Sequence, residues 1–115
     1  MAEDCLFCRL VSGAIPSRRL HEDEETFAFH DIAPQAPVHF LVIPKRHIAT
    51  LDDLTDADGG LVAKLVLTGR RLASEQGLSD GGYRFVMNCR EGAGQSVFHI
   101  HLHVLGGRRM NWPPG

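Results

Sequence analysis

HIHLHV (residues 99–104) sets an imidazole at every second position, His99, His101 and His103, with Ile100, Leu102 and Val104 between them. A β-strand turns successive side chains to opposite faces, so this period of two predicts a strand with three histidines on one side and three aliphatics on the other. The aliphatic side predicts a core, and the histidine side predicts chemistry. Carried on through Leu105 and Gly106, the expected strand is HIHLHVLG, residues 99–106.

The flanking segments predict what this strand packs with. YRFVMNC (83–89) reads as a strand, joined to the histidine run by the glycine-rich loop REGAGQS (90–96). VHFLVIP (38–44) is rich in Val, Ile and Phe and closes on Pro44; RRLHEDEETFAFHDI (18–32) reads as two short strands around an acidic turn. After Thr55 or Asp56, Leu61, Val62, Leu65, Val66, Gly69, Leu72 and Ala73 recur at steps of three and four, which predicts a long core-packing helix stopped at Gly77. Its apolar band is wide enough to serve a subunit interface as well. DCLFCRLVSG (4–13) predicts a short helix with Asp4 as N-cap, Leu6, Leu10 and Val11 on one side, and Gly13 as its end. Helices and strands do not alternate, and short loops join the strands, so the expected class is α+β with a mainly antiparallel sheet, in one domain over residues 1–115.

Composition narrows the function. Twelve basic and fourteen acidic residues give a formal charge of -2 with no basic run, which argues against nucleic acid or an anionic membrane as partner. MAEDCLFCRL lacks the features of a signal peptide, and no apolar run has the length of a membrane span. Three cysteines, Cys5, Cys8 and Cys89, fit reduced thiols or a metal better than a disulfide framework. The cytoplasm is the expected compartment.

Three histidines in alternation admit three readings: a solvated sheet face, a metal site, or nucleophilic and acid–base chemistry. The preceding GAGQS (92–96) favours phosphoryl or nucleotidyl transfer, because exposed backbone N–H groups next to a nucleophile-bearing strand would cradle phosphate oxygens.

The run His99-Ile100-His101-Leu102-His103-Val104-Leu105 resembles the alternating motif of the histidine-triad (HIT) family. FHDIAPQAPVHFLVIPKRHI (29–48), GAGQS and the tail VLGGRRMNWPPG are similar to the family's Hint branch, the histidine-triad nucleotide-binding proteins. The resemblance implies a HIT-like fold: a five-stranded antiparallel sheet with one long helix and a short N-terminal helix, paired with a second copy into one continuous sheet. It implies hydrolysis of purine nucleoside phosphoramidates and acyl-adenylates to the nucleoside monophosphate, with no cofactor needed for catalysis and with purine nucleotides such as AMP, GMP and adenosine phosphoramidates as ligands. Hydrolysis of dinucleoside polyphosphates, a nucleotide-binding adaptor and a metal-bound structural domain are the competing readings.

Residue by residue, the resemblance makes His101 the nucleophile, His103 the contact to phosphate and leaving group, Ser96 a donor to the departing nitrogen, and His39 and His99 proton relays. It assigns Asp31 to the ribose hydroxyls, Asn88, Gly94 and Gln95 to the phosphate side, and Leu6, Phe7, Leu10, Phe29, His30 and Ile32 to the purine. Trp112 lies in a tail that in this branch reaches toward the partner's active site. Other histidine-triad proteins pair two such cysteines with two histidines, which here implies a structural zinc set of Cys5, Cys8, His47 and His99. That set would make His99 a ligand in place of a relay.

Overall fold

The computed structural model describes residues 4–115; Met1–Glu3, the start of the acidic opening, lie outside the described residues. The chain runs α1 (Leu6–Ser12), β1 (Arg19–Glu22), β2 (Thr26–His30), β3 (Val38–Pro44), α2 (Gly59–Glu75), β4 (Tyr83–Val86) and β5 (Leu102–Gly106). The strands form one sheet in the order β1-β2-β3-β5-β4, antiparallel at every step. The α+β fold with a five-stranded antiparallel sheet, one long helix and a short N-terminal helix is therefore the fold of the protein. Among the described residues no helix is long and apolar enough to cross a membrane.

Alternation along the central strand builds two cores. Phe40 and Val42 of β3 join Leu102 and Val104 of β5 against Leu65, Leu72 and Ala73 of α2. Leu41 and Ile43 point the other way, to Phe7, Phe27 and Phe29 beneath α1. With both faces covered, the middle of the sheet is dry. The α2 band is only partly used: Leu65, Gly69 and Leu72 are buried, whereas Val66 and its neighbour Leu67 are exposed.

Several expected boundaries shift. The N-cap of α1 is Cys5 in place of Asp4, because Cys5 has the extended backbone a cap needs and its Sγ accepts from the Cys8 N–H at 3.4 Å. Phe7 is the buried residue of that helix and Leu6 stands exposed, so the apolar side is one position away from the expected one. Gly13 ends the helix in the left-handed region, as its place predicts. The histidine strand begins at Leu102, not at His99: β3 stops at Pro44, which has no N–H to extend the ladder, and the Ile100 N–H donates instead to the Ile48 carbonyl at 2.7 Å. β4 ends at Val86 opposite His103, since β5 offers little strand beyond it. A 3-10 turn, Asp56–Asp58, precedes α2, and the Asp58 carboxylate accepts from the Thr55 N–H at 2.9 Å.

Candidate active site

The two sides of the histidine run separate even though His99 and His101 precede the strand. Ile100, Leu102 and Val104 enter the α2 core. His99 and His101 face α1, where the Phe7 ring meets His101 edge-on at 5.1 Å and His99 at 5.9 Å.

Backbone carbonyls set the tautomers, because a carbonyl only accepts. His101 Nδ1–H donates to the His99 carbonyl at 2.8 Å, which leaves Nε2 with a free lone pair. His101 is only 8 % exposed, and burial pushes its pKa below the ordinary histidine value, outweighing the His99 carbonyl and the Asp31 charge. The imidazole is therefore a neutral nucleophile or base at pH 7. His103 is set from further away. The Gln35 N–H donates to His39 Nδ1 at 3.0 Å, so the His39 proton sits on Nε2, which lies 3.0 Å from His103 Nδ1 and 3.4 Å from an Asp31 oxygen. His103 must then carry its own proton on Nε2. Burial, with His101 and His39 nearby, pushes His103 down to about 4; burial also lowers His39 against the pull of Asp31.

His99 is turned away from this relay. Fully buried, it donates Nε2–H to the Pro44 carbonyl at 2.7 Å and aims bare Nδ1 at Cys5 Sγ, 3.3 Å away, and Cys8 Sγ, 3.5 Å away. His47 Nδ1 lies 3.4 Å from Cys8 Sγ, and these four donor atoms all lie within 4.8 Å of one another. Zinc at ~2.3 Å from sulfur and ~2.0 Å from nitrogen would set tetrahedral ligands about 3.5 Å apart. The cluster fits a metal ion in donor type, spacing and tautomer. Cys8, pushed up to about 11 by burial and by Cys5, would give up its proton on binding. Asp31, His39 and His103 also converge, but the Gln35 N–H holds the His39 proton on the nitrogen that a metal would need. That triangle does not fit.

Beside the histidines lies a cavity of about 370 Å³. His101, His103 and Ser96 form one end; Phe7, Leu10 and Phe29 line its apolar part, with Leu6, His30, Asp31 and Ile32 also on its wall. Phe7 and Phe29 meet edge-on at 5.4 Å. Ile32 is 96 % exposed and touches the cavity only at its rim. The structure thus brings most of the residues expected around a nucleotide to one place.

The glycine loop behaves differently. The N–H groups of Ala93, Gly94 and Gln95 donate inside their own turn, to Arg90, Glu91 and Arg90 carbonyls, so they are not a free anion cradle. Gln95, 3 % exposed, accepts from the Arg90 N–H at 2.6 Å and donates to the Ala49 and Val97 carbonyls, which clamps the loop to the body. Asn88, Gly94 and Gln95 do not line the cavity; Ser96 and Val97 do. Trp112 is 82 % exposed and lies outside it too, on a tail held by the Arg84 guanidinium donating to the Asn111 carbonyl at 2.9 Å. Ile15, Pro16, Ser17, Arg18 and Leu41 line the cavity without having been singled out in the sequence. The carbonyl of Pro44 and the amide of Gln35 leave no signal there, being backbone.

A family model described as the HIT domain matches residues 12–110. An uncharacterized HIT-like protein of Synechococcus elongatus is 46% identical over 115 residues, the whole length of both chains. Among solved structures, a HIT family hydrolase from Legionella pneumophila superposes with a TM-score of 0.96 at 53% identity, covering 97% of this chain and 100% of that one. A histidine triad nucleotide-binding protein from Candida albicans gives 0.82 at 31% identity, over 96% of this chain and 83% of that one. Because the family match takes in every cavity residue that the sheet supplies, the chain belongs to the HIT-domain family.

Proposed function

We propose that the protein hydrolyses purine nucleoside phosphoramidates and acyl-adenylates through a covalent nucleotidyl-imidazole on His101, as a member of the Hint branch. The observation that carries this reading is the bond from His101 Nδ1–H to the His99 carbonyl, which frees Nε2 beside a cavity lined by Phe7, Phe29, Asp31 and Ser96. Nε2 attacks the α-phosphorus and the P–N bond breaks, while His103 Nε2–H and the Ser96 hydroxyl donate hydrogen bonds to the departing nitrogen, which takes its proton from solvent at the open side of the cavity. Water then attacks phosphorus and gives its proton back to solvent, the P–Nε2 bond breaks, and the nucleoside monophosphate leaves with neutral His101 regenerated. His39 holds the His103 tautomer that keeps Nε2–H aimed at the leaving nitrogen; Asp31 takes the ribose hydroxyls. Asn88, Gly94 and Gln95 act on the phosphate side by shaping the loop that carries Ser96.

Cys5, Cys8, His47 and His99 hold a structural zinc ion that ties α1 to the catalytic segment, so His99 is a ligand and the carbonyl support of His101, not a proton relay. Two copies pair through the free edge of β4 and the exposed Val66 and Leu67 of α2, and the Trp112 tail crosses to the partner. The unbridged cysteines support a cytoplasmic location.

The test is AMP release from an adenosine 5′-phosphoramidate. Replacing His101 by Ala should lower kcat by roughly 10⁴-fold or more while AMP binding changes little. A folded wild type that binds AMP and releases none from the phosphoramidate sinks the reading.

A further inference from the structure

Arg18 supplies the one guanidinium on the cavity wall. We propose that Arg18 selects guanine over adenine at the base end of the cavity, which makes guanosine phosphoramidates the preferred substrates; this rests on the nucleotidyl-transfer reading of the same site.

The cavity has a direction. From His101 the rings step to Phe7 at 5.1 Å and on to Phe29 at 5.4 Å, away from the nucleophile and into the apolar part. Arg19 is the register partner of Phe29, and the Arg18 carbonyl accepts from the His30 N–H at 3.0 Å. Arg18 thus stands just past the aromatic floor, on the side away from the triad, where the edge of a base stacked over that floor would emerge.

Its charge is unspent. Among the described residues no carboxylate lies within ion-pair distance of Arg18, whereas its neighbour Arg19 is paired with Glu22 at 2.9 Å. Asp31, the one carboxylate on the cavity wall among the described residues, accepts from the Ala33 N–H at 2.8 Å and turns its other oxygen to His39. His30 feels the guanidinium: burial and the Arg18 charge lower its pKa, so it faces the cavity as a neutral ring.

Base chemistry then discriminates. Guanine presents two adjacent acceptors, O6 and N7, which a guanidinium meets with two parallel N–H donors. Adenine presents N7 beside an amino group, so one guanidinium donor would face another donor. Reading that edge takes an acceptor beside a donor, as in Asn or Gln, and the wall contains neither residue.

The experiment compares wild type, Arg18→Met and Arg18→Lys on guanosine and adenosine 5′-phosphoramidates of the same amine, together with Kd values for GMP and AMP. Wild type should show kcat/KM for guanosine roughly tenfold above adenosine, since a solvent-facing bidentate pair sits at the lower end of its range. Arg18→Met keeps the aliphatic stem and should bring the ratio within about twofold, through KM for the guanosine substrate with kcat unchanged. Arg18→Lys should recover part of the preference, having no planar fork. A wild type indifferent to the base, or a preference that survives Arg18→Met, overturns the proposal. If neither phosphoramidate turns over, the hydrolase reading falls, and the GMP-to-AMP ratio of Kd values still decides the role of Arg18.

Discussion

One backbone N–H, that of Gln35, determines through two hydrogen bonds and the His39 ring which nitrogen of His103 carries a proton. Replacing Gln35 by Pro removes that donor from an exposed loop position without removing a catalytic side chain. His39 is then free to protonate on Nδ1 and to turn a lone pair toward His103, so kcat should fall by about tenfold with KM little changed, read in steady-state kinetics. Unchanged kcat in a folded variant would show that the tautomer is held otherwise. The three triad histidines are identical letters at equal spacing, yet one faces thiols, one a neighbouring carbonyl and one another histidine. Their residue type and shared side were legible in the alternation. Their separate tasks were not, because each is assigned by a partner that only the folded backbone aims at it, two positions away for His101 and ninety-four for His99 and Cys5.

At the scale of elements, α1 carries two functions in seven residues. Cys8 and the capping Cys5 bring their sulfurs to His99, while Phe7, between them, walls the cavity and packs on His101. With zinc in place, removing it by chelation, or replacing Cys8 by Ser, should loosen the helix against the sheet. Nucleotide Kd should rise by about tenfold, and amide exchange should speed up over Leu6–Ser12 while β3 and β5 stay protected. Equal exchange rates with and without chelator would sever the metal from the cavity. Element existence was readable throughout: five strands, a short helix and a long one followed from periodicity and breakers. Boundaries were not, where tertiary contacts took over local pattern. The strand pattern at His99 gives way to a buried bend because Pro44 ends the ladder, and the loop read as an anion cradle spends the amides of Ala93, Gly94 and Gln95 on its own turn.

For the whole molecule, acid is the sharpest probe. His39, His99, His101 and His103 all have pKa values lowered by burial in the folded protein, His103 to about 4, whereas an unfolded histidine sits near 6.5. Between those limits the unfolded chain binds more protons, so the stability these rings contribute is complete above about pH 6.5 and is lost as pH falls toward 4. Denaturant titrations of metal-free protein should show stability nearly flat from pH 8 to 7 and then falling, by up to about 1.4 kcal/mol per pH unit for each ring held neutral. A flat profile to pH 5 would mean that the rings are solvated in the folded state. By itself the sequence determined the composition of the sheet and the common side of the histidines, because a period of two or of three to four is a local property that burial only has to accept. The sequence also determined where metal-binding chemistry is available. Only the tertiary structure decided that His99 turns to the cysteines while its carbonyl accepts from His101 Nδ1–H, that the amides of Ala93, Gly94 and Gln95 are already spent, and that Arg18 faces the cavity without a counterion, since hydrogen-bond partners and neighbouring charges are fixed only by the folded path of the backbone.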